Sequence, residues 1–142
     1  MTMYPISRAV RSRLGADAAL GVLVGTRIYP EAKAQGAAVP CLVYSISEED
    51  SQPGLSDPGF RRARVEVLVV AATAQQASEI GEAVYGAMHG WNGGYSTGGA
   101  APTSVVILHC LHSKSLTNYQ PPAAGETTGT FLHSSIFSTM YA

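Results

Sequence analysis

The sequence predicts an α+β fold of two layers: a mainly antiparallel four- to five-stranded sheet, packed by one long helix plus short N-terminal helices. Three observations carry this. Residues 60–72 alternate, with Ala63, Val65, Val67, Val69 and Ala71 on one face and Arg62, Arg64, Glu66, Leu68 and Val70 on the other. Residues 74–89 instead repeat apolar side chains at helical spacing, through Ala77, Ile80, Val84, Ala87 and Met88. Further period-two runs stand on both sides of this strand–helix unit, at Cys41–Glu48, Ser104–His112 and Thr127–Tyr141.

The elements follow in order. Ile6, Val10 and Leu14 lie four residues apart on one helical face, with Pro5 in the first turn and Arg8, Arg11 and Arg13 largely on the other side. Gly15 can end that helix. A second short helix opens at Ala16 or Asp17 and stops at Gly25. Arg27–Pro30 reads as a short strand, because Pro30 forces its predecessor to extend. Residues 31–40 form a loop. In the strand Cys41–Glu48, Leu42, Tyr44 and Ile46 share one face. The loop from Glu49 to Gly59 carries Pro53-Gly54 and Asp57-Pro58-Gly59, and is too long for a simple hairpin.

The strand 60–72 has one polar face in its first half and is apolar on both faces in its second. That change predicts an end covered on both sides. Thr73 is a good N-cap for the long helix, with Gln76 as its capping-box partner. Ala83 and Gly86 beside the buried stripe allow a close approach to the sheet. Gly90–Pro102 reads as a flexible loop containing Trp91, and Thr117–Glu126 as a connector. In the last strand, Phe131, His133, Ser135, Phe137, Thr139 and Tyr141 share one face. The 142 residues, 1–142, read as a single domain large enough for a real core.

Composition narrows the function. The formal net charge is -1, which argues against specific nucleic-acid binding through phosphate neutralisation. No run of 18 uncharged apolar residues occurs, so no membrane span is expected. The N-terminal residues do not read as a signal peptide. Charged residues make up 13% of the chain, against roughly 25% in ordinary soluble domains. A surface so thinly charged is poorly defended against association. It fits either a small-residue-rich composition or an obligate subunit of an assembly.

Chemistry is sparse. Cys41 and Cys110 sit in apolar runs, where thiols are inert. Strand period places His109 and His112 on opposite faces, so with His133 at most two histidines meet. Zinc wants three or four ligands. No catalytic, cofactor-binding or metal-ligating set is predicted, and no cofactor. Glu48-Glu49-Asp50 and Arg61-Arg62-Ala63-Arg64 flank the same long loop. Antiparallel pairing of their strands would bring them together, as cross-strand ion pairs within the chain or as a contact between subunits. Gly90-Trp91-Asn92-Gly93-Gly94 follows a helix and is no phosphate loop. Trp91 there caps the helix end or anchors an interface.

The order of elements resembles the tail-completion, or tail-terminator, family of long-tailed phages. Leu14–Pro30 carries the pattern, with Leu23-Val24-Gly25 and Arg27-Ile28-Tyr29-Pro30. A proline-initiated strand Pro40-Cys41-Leu42-Val43-Tyr44 follows, then Arg64-Val65-Glu66-Val67-Leu68-Val69. The resemblance implies a structural virion protein and no enzyme. It implies a homo-oligomeric ring, a hexamer, that caps the tail tube and joins it to the head connector. The implied partners are the tail-tube protein and the head–tail connector protein, with DNA passing through the ring and no membrane. The implied location is the virion tail at the head–tail junction, after assembly in the host cytoplasm. A head–tail connector subunit is the alternative, and a small thiol hydrolase using Cys110 a third reading. In a ring, each subunit offers two unlike patches. The loop Glu49–Gly59 with the strand from Phe60 is expected to supply one. The N-terminal helix with Arg8 and Arg11, or the final strand, supplies the other. The expected contact residues are Arg8, Arg11, Glu48, Glu49, Asp50, Arg61, Arg62, Arg64 and Trp91.

Overall fold

The computed structural model describes residues 4–31, 38–49, 61–96, 104–122, 124 and 129–142. Asp50, Phe60, the turns of the long loop and most of the 31–40 loop lie outside the described residues. Three helices and six strands follow one another: α1 (Tyr4–Ala16), α2 (Ala18–Leu23), β1 (Ile28–Pro30), β2 (Cys41–Glu49), β3 (Arg61–Ala71), α3 (Ala74–Met88), β4 (Gly93–Ser96), β5 (Ser104–Gln120) and β6 (Thr130–Tyr141). The strands form one sheet in the order β1-β2-β3-β6-β5-β4.

The α+β reading holds, with corrections in detail. The sheet has six strands and is mixed, because β1 runs parallel to β2, with Ile28 beside Leu42. The expected flexible loop after the long helix contains β4, which pairs Gly93 with Ile107 and Ser96 with Ser104. Helix α1, at 13 residues, is nearly as long as α3, at 15. It also continues one residue past Gly15.

The strand expected to stop at His112 runs eight residues further, to Gln120, and takes in the first four residues of the expected connector. The reason is tertiary. Ser113–Gln120 has little apolar alternation and is exposed throughout. It stays extended because it pairs residue by residue with β6, from Lys114 beside Ile136 to Gln120 beside Thr130. Polar and aromatic pairs span this ladder: Thr117 Oγ1 lies 3.2 Å from His133 Nδ1, and the Tyr119 and Phe131 rings are 4.9 Å apart.

The helices cover one face of the sheet. Leu42, Tyr44 and Ile46 of β2, the odd residues 63–71 of β3, and Phe137 and Tyr141 of β6 join the helices in one core cluster. Antiparallel register puts them side by side, as with Ile46, Val65 and Phe137. Helix α1 contributes Ile6, Ala9, Val10 and Leu14, all at most 1% exposed. Burying a side chain such as Phe137 or Leu14 contributes about 1.5–3 kcal/mol. On the opposite face, Cys41, Val43, Val70 and Ile136 are buried without joining that cluster. Cys41, Val43 and Val70 mark the doubly covered end expected of the second half of β3.

Local signals act where they stand. Asp17 caps α2 through Leu20 N–H, 3.0 Å away, and Gly25 closes it at φ +61°, where a Cβ would be strained. Thr73 Oγ1 accepts from Gln76 N–H at 3.1 Å, and Gln76 Oε1 accepts from Ala72 N–H at 3.1 Å. The glycine that lets α3 approach the sheet is Gly81, and Gly86 is not. A Cβ on Gly81 would lie 2.6 Å from His133 Nε2, whereas one on Gly86 meets nothing within 4 Å.

Two substitutions on one helix therefore have opposite signs. Gly81→Ala should destabilise the protein by about 1–3 kcal/mol through overpacking against His133. Gly86→Ala should stabilise it by about 0.5–1 kcal/mol through helix propensity. Urea unfolding of both variants checks this, and equal effects would disprove the contact.

Candidate interaction surface

Register brings the acidic and basic segments together. Glu49 stands beside Arg62, Glu48 beside Ala63 and Ser47 beside Arg64. Arg62 and Arg64 alternate with buried Ala63 and Val65, so they project from the face opposite the helices, and both are exposed. Arg61 is half-buried at the start of β3. Arg8 is exposed on α1 and Arg11 half-buried, and neither lies with the β3 arginines, which are on the other layer.

Trp91 sits within the molecule's own core, only 8% exposed. Its backbone N–H donates to Met88 O at 3.1 Å, so it closes the end of α3. The Arg13 guanidinium lies 5.8 Å from its ring centroid, while Arg13 Nε donates to Ala87 O at 2.8 Å. Arg13 thus ties α1 to the end of α3 by a cation–π contact and a capping bond. The Trp91 ring leaves little surface for a partner.

The residues that carried the family resemblance are a packing device. Arg27 Nε donates to Pro40 O at 2.7 Å. Leu42 N–H donates to Arg27 O at 2.9 Å, and Glu31 N–H to Tyr44 O at 2.8 Å. Together they seat β1 on β2.

A basic cleft was not legible from the sequence. Arg64, Ser113, Lys114, Ile136, Phe137 and Ser138 line a cleft of about 220 Å³ on the exposed face of the sheet. A register shift between His112 and Lys114 forms it by inserting Ser113. The shift turns Lys114 to the side of Arg64, whereas period two from His112, which faces Phe137 and the helices, would have put it on the other side. Lys114 and Ser113 were missed because the expected strand ended before them.

The histidines and thiols fall elsewhere. Cys110 is fully buried beside Thr139 Oγ1, which donates to Sγ at 3.5 Å. Burial pushes the Cys110 thiol up, against smaller opposing effects of Thr139 and Arg13. A thiol held neutral is a poor nucleophile. Among the described residues, no group of three His, Cys, Asp or Glu is placed to hold a metal ion. His112 N–H donates to His89 Nδ1 at 3.0 Å, and the Tyr85 ring stacks on His89 at 4.7 Å. His133 lies under Gly81, and its pKa is held below the ordinary 6.5 by burial first and by His112 second.

The arrangement offers an association surface on a small α+β fold and no assembled reaction centre among the described residues. Residues 8–121 match the family model described as "Tail completion protein gp17", and the chain belongs to that family. The fold also matches a chain of a "Virion of native gene transfer agent (GTA) particle". That match has a TM-score of 0.64 at 16% identity and covers 98% of this chain and 96% of the other. No curated protein sequence matches the chain. The protein is located in the virion tail.

The lowered His133 pKa has a defined consequence. Stability is unaffected above about pH 6.5 and falls as the pH drops below it, because the unfolded chain takes the proton first. The fall in melting temperature between about pH 7.5 and pH 5.5 should be smaller in His133→Gln than in the parent. Parallel falls would show that His133 does not carry the effect.

Proposed function

We propose that this chain, as a single domain over residues 1–142, is the tail-terminator subunit of a phage-like particle. Six copies form a ring that caps the finished tail tube and joins it to the head connector. The ring assembles in the host cytoplasm, and DNA passes through it. The observation that carries this reading is the tail-completion match across residues 8–121. The low charge content, 13%, supports it as the composition of a surface made for association. So do exposed apolar side chains of β5, Leu111 and Leu116 on the open face and Tyr119 on the other, at 48%, 53% and 49% exposed.

A ring contact is heterologous and needs two unlike patches. The β3 side, with Arg61, Arg62 and Arg64 and the neighbouring Glu48, Glu49 and Asp50, supplies one. The helical side, with Arg8 and Arg11, supplies the other. Trp91 contributes by holding the α1–α3 junction under Arg13. The chemistry of the fold supports a role without catalysis, since Cys110 is buried and held neutral.

Electron microscopy of the purified protein, alone and mixed with tubes of the particle's tail-tube protein, tests the reading. Closed rings of six, free or seated on tube ends, are the expected result. A chain that forms no ring and leaves tube ends bare, yet binds the head connector, would replace the terminator with a connector subunit.

A further inference from the structure

The basic cleft holds two cations without partners. Among the described residues, neither the Arg64 nor the Lys114 side chain makes an ion pair or hydrogen bond. The strand neighbours of Arg64 are Ser47 and Ser138, and the neighbour of Lys114 is Ile136. The next carboxylate along β3, Glu66, already accepts from Ser134 Oγ at 3.0 Å. Two strand spacings across and two residues along the strands separate them, so the two cations stand diagonally over β6, roughly 12 Å apart at their Cα atoms. Buried Ile136 forms an apolar floor, which strengthens any charge contact made there.

The complement is on the opposite layer. Glu79 and Glu82 lie three residues apart on the exposed face of α3. That helix, AQQASEIGEAVYGAM, contains no lysine or arginine to neutralise them. Among the described residues, the Glu79 carboxylate accepts from Gln75 Nε2 at 3.1 Å and from no cation. The open face thus offers Arg64 and Lys114 with Glu66, level with Lys114 across Ile136, already bonded, and the layer behind it, where α1 carries Arg8 and Arg11, offers the carboxylate pair of α3.

We propose that the Arg64–Lys114 cleft of one copy receives the Glu79–Glu82 face of α3 from a second copy, so that subunits stack front to back. The inference rests on the ring reading and names the contact that closes it. A carboxylate pair is favoured over a nucleic-acid phosphate because the net charge is -1 and two cations neutralise too few phosphates for duplex binding. Front-to-back contact is heterologous, as a ring requires. It also meets the cost of packing two like charges on each face by bringing opposite charges across the joint.

Charge exchange on the full chain tests this, read by sedimentation over a dilution series at low and high salt. Arg64→Glu with Lys114→Glu should weaken ring formation roughly ten-fold or more, and Glu79→Lys with Glu82→Lys should do the same. All four substitutions in one chain should restore it. Salt should weaken the parent ring and the four-fold variant alike. Circular dichroism of each variant establishes that it is folded, as expected of exposed sites. A ring that survives the Arg64/Lys114 reversals overturns the cleft while the ring reading stands. Loss by those reversals with no effect at Glu79 and Glu82, or no rescue, overturns the α3 partner. Cleft-dependent retardation of duplex DNA by the parent would give the site to phosphate. A parent chain that makes no ring, free or on tubes, removes the ring reading and this contact with it.

Discussion

Strand β6 occupies the centre of the sheet although it is the last element of the chain. It pairs with β3 along one edge, from Arg61 beside Tyr141 to Ala71 beside Phe131. Along the other edge it pairs with nearly the whole of β5. Its inward side chains then meet the helices, with Phe137 and Thr139 fully buried. The sheet is therefore two incomplete halves, β1-β2-β3 and β5-β4, until β6 closes it. Long-range pairing of this kind carries the entropy of closing large loops, so the gain must come from burial on one continuous face. The close approach of Gly81 to His133 belongs to the same constraint, because α3 must rest directly on β6.

The same closure creates the surface available for association. β5 follows β6 past the core, so its distal half carries exposed Leu116 on one face and exposed Tyr119 on the other. The register shift at Ser113 opens the cleft between this strand and β3, and the sheet face opposite the helices presents Arg62, Arg64 and Lys114. Arg62, Arg64 and Lys114 stand on the open sheet face, and α3 carries Glu79 and Glu82 with no lysine or arginine of its own. Polar chemistry inside the fold does a different task. Asp17, Thr73 and Arg27 satisfy backbone groups at turns and caps, and the Cys110 thiol is kept neutral.

Much was legible in the sequence because local physics acts at short range. The faces of β2, β3 and β6, the N-caps at Asp17 and Thr73, the stop at Gly25 and the buried stripe of α3 all follow from period and propensity within about a dozen residues. The acidic–basic neighbourhood of Glu49 and Arg62 followed once antiparallel pairing was assumed. What failed was everything decided by a distant partner. β4 is four residues, Gly93-Gly94-Tyr95-Ser96, of which Tyr95 alone favours a strand. The end of β5 is polar and extended only because β6 lies beside it. Helix packing selected Gly81 over Gly86 through a histidine 52 positions away, and no helical pattern encodes that distance.

By itself the sequence determined the α+β class, the strongest elements, their inward faces and, through the Leu14–Pro40 pattern, the family of tail-completion proteins. Only the tertiary structure decided the strand order, the parallel pairing of β1, the length of β5 and the cleft that joins Arg64 to Lys114. The division has a physical cause. Side-chain period and capping are set by neighbours along the chain, whereas register, bulges and interlayer contacts are set by which distant surfaces bury each other best.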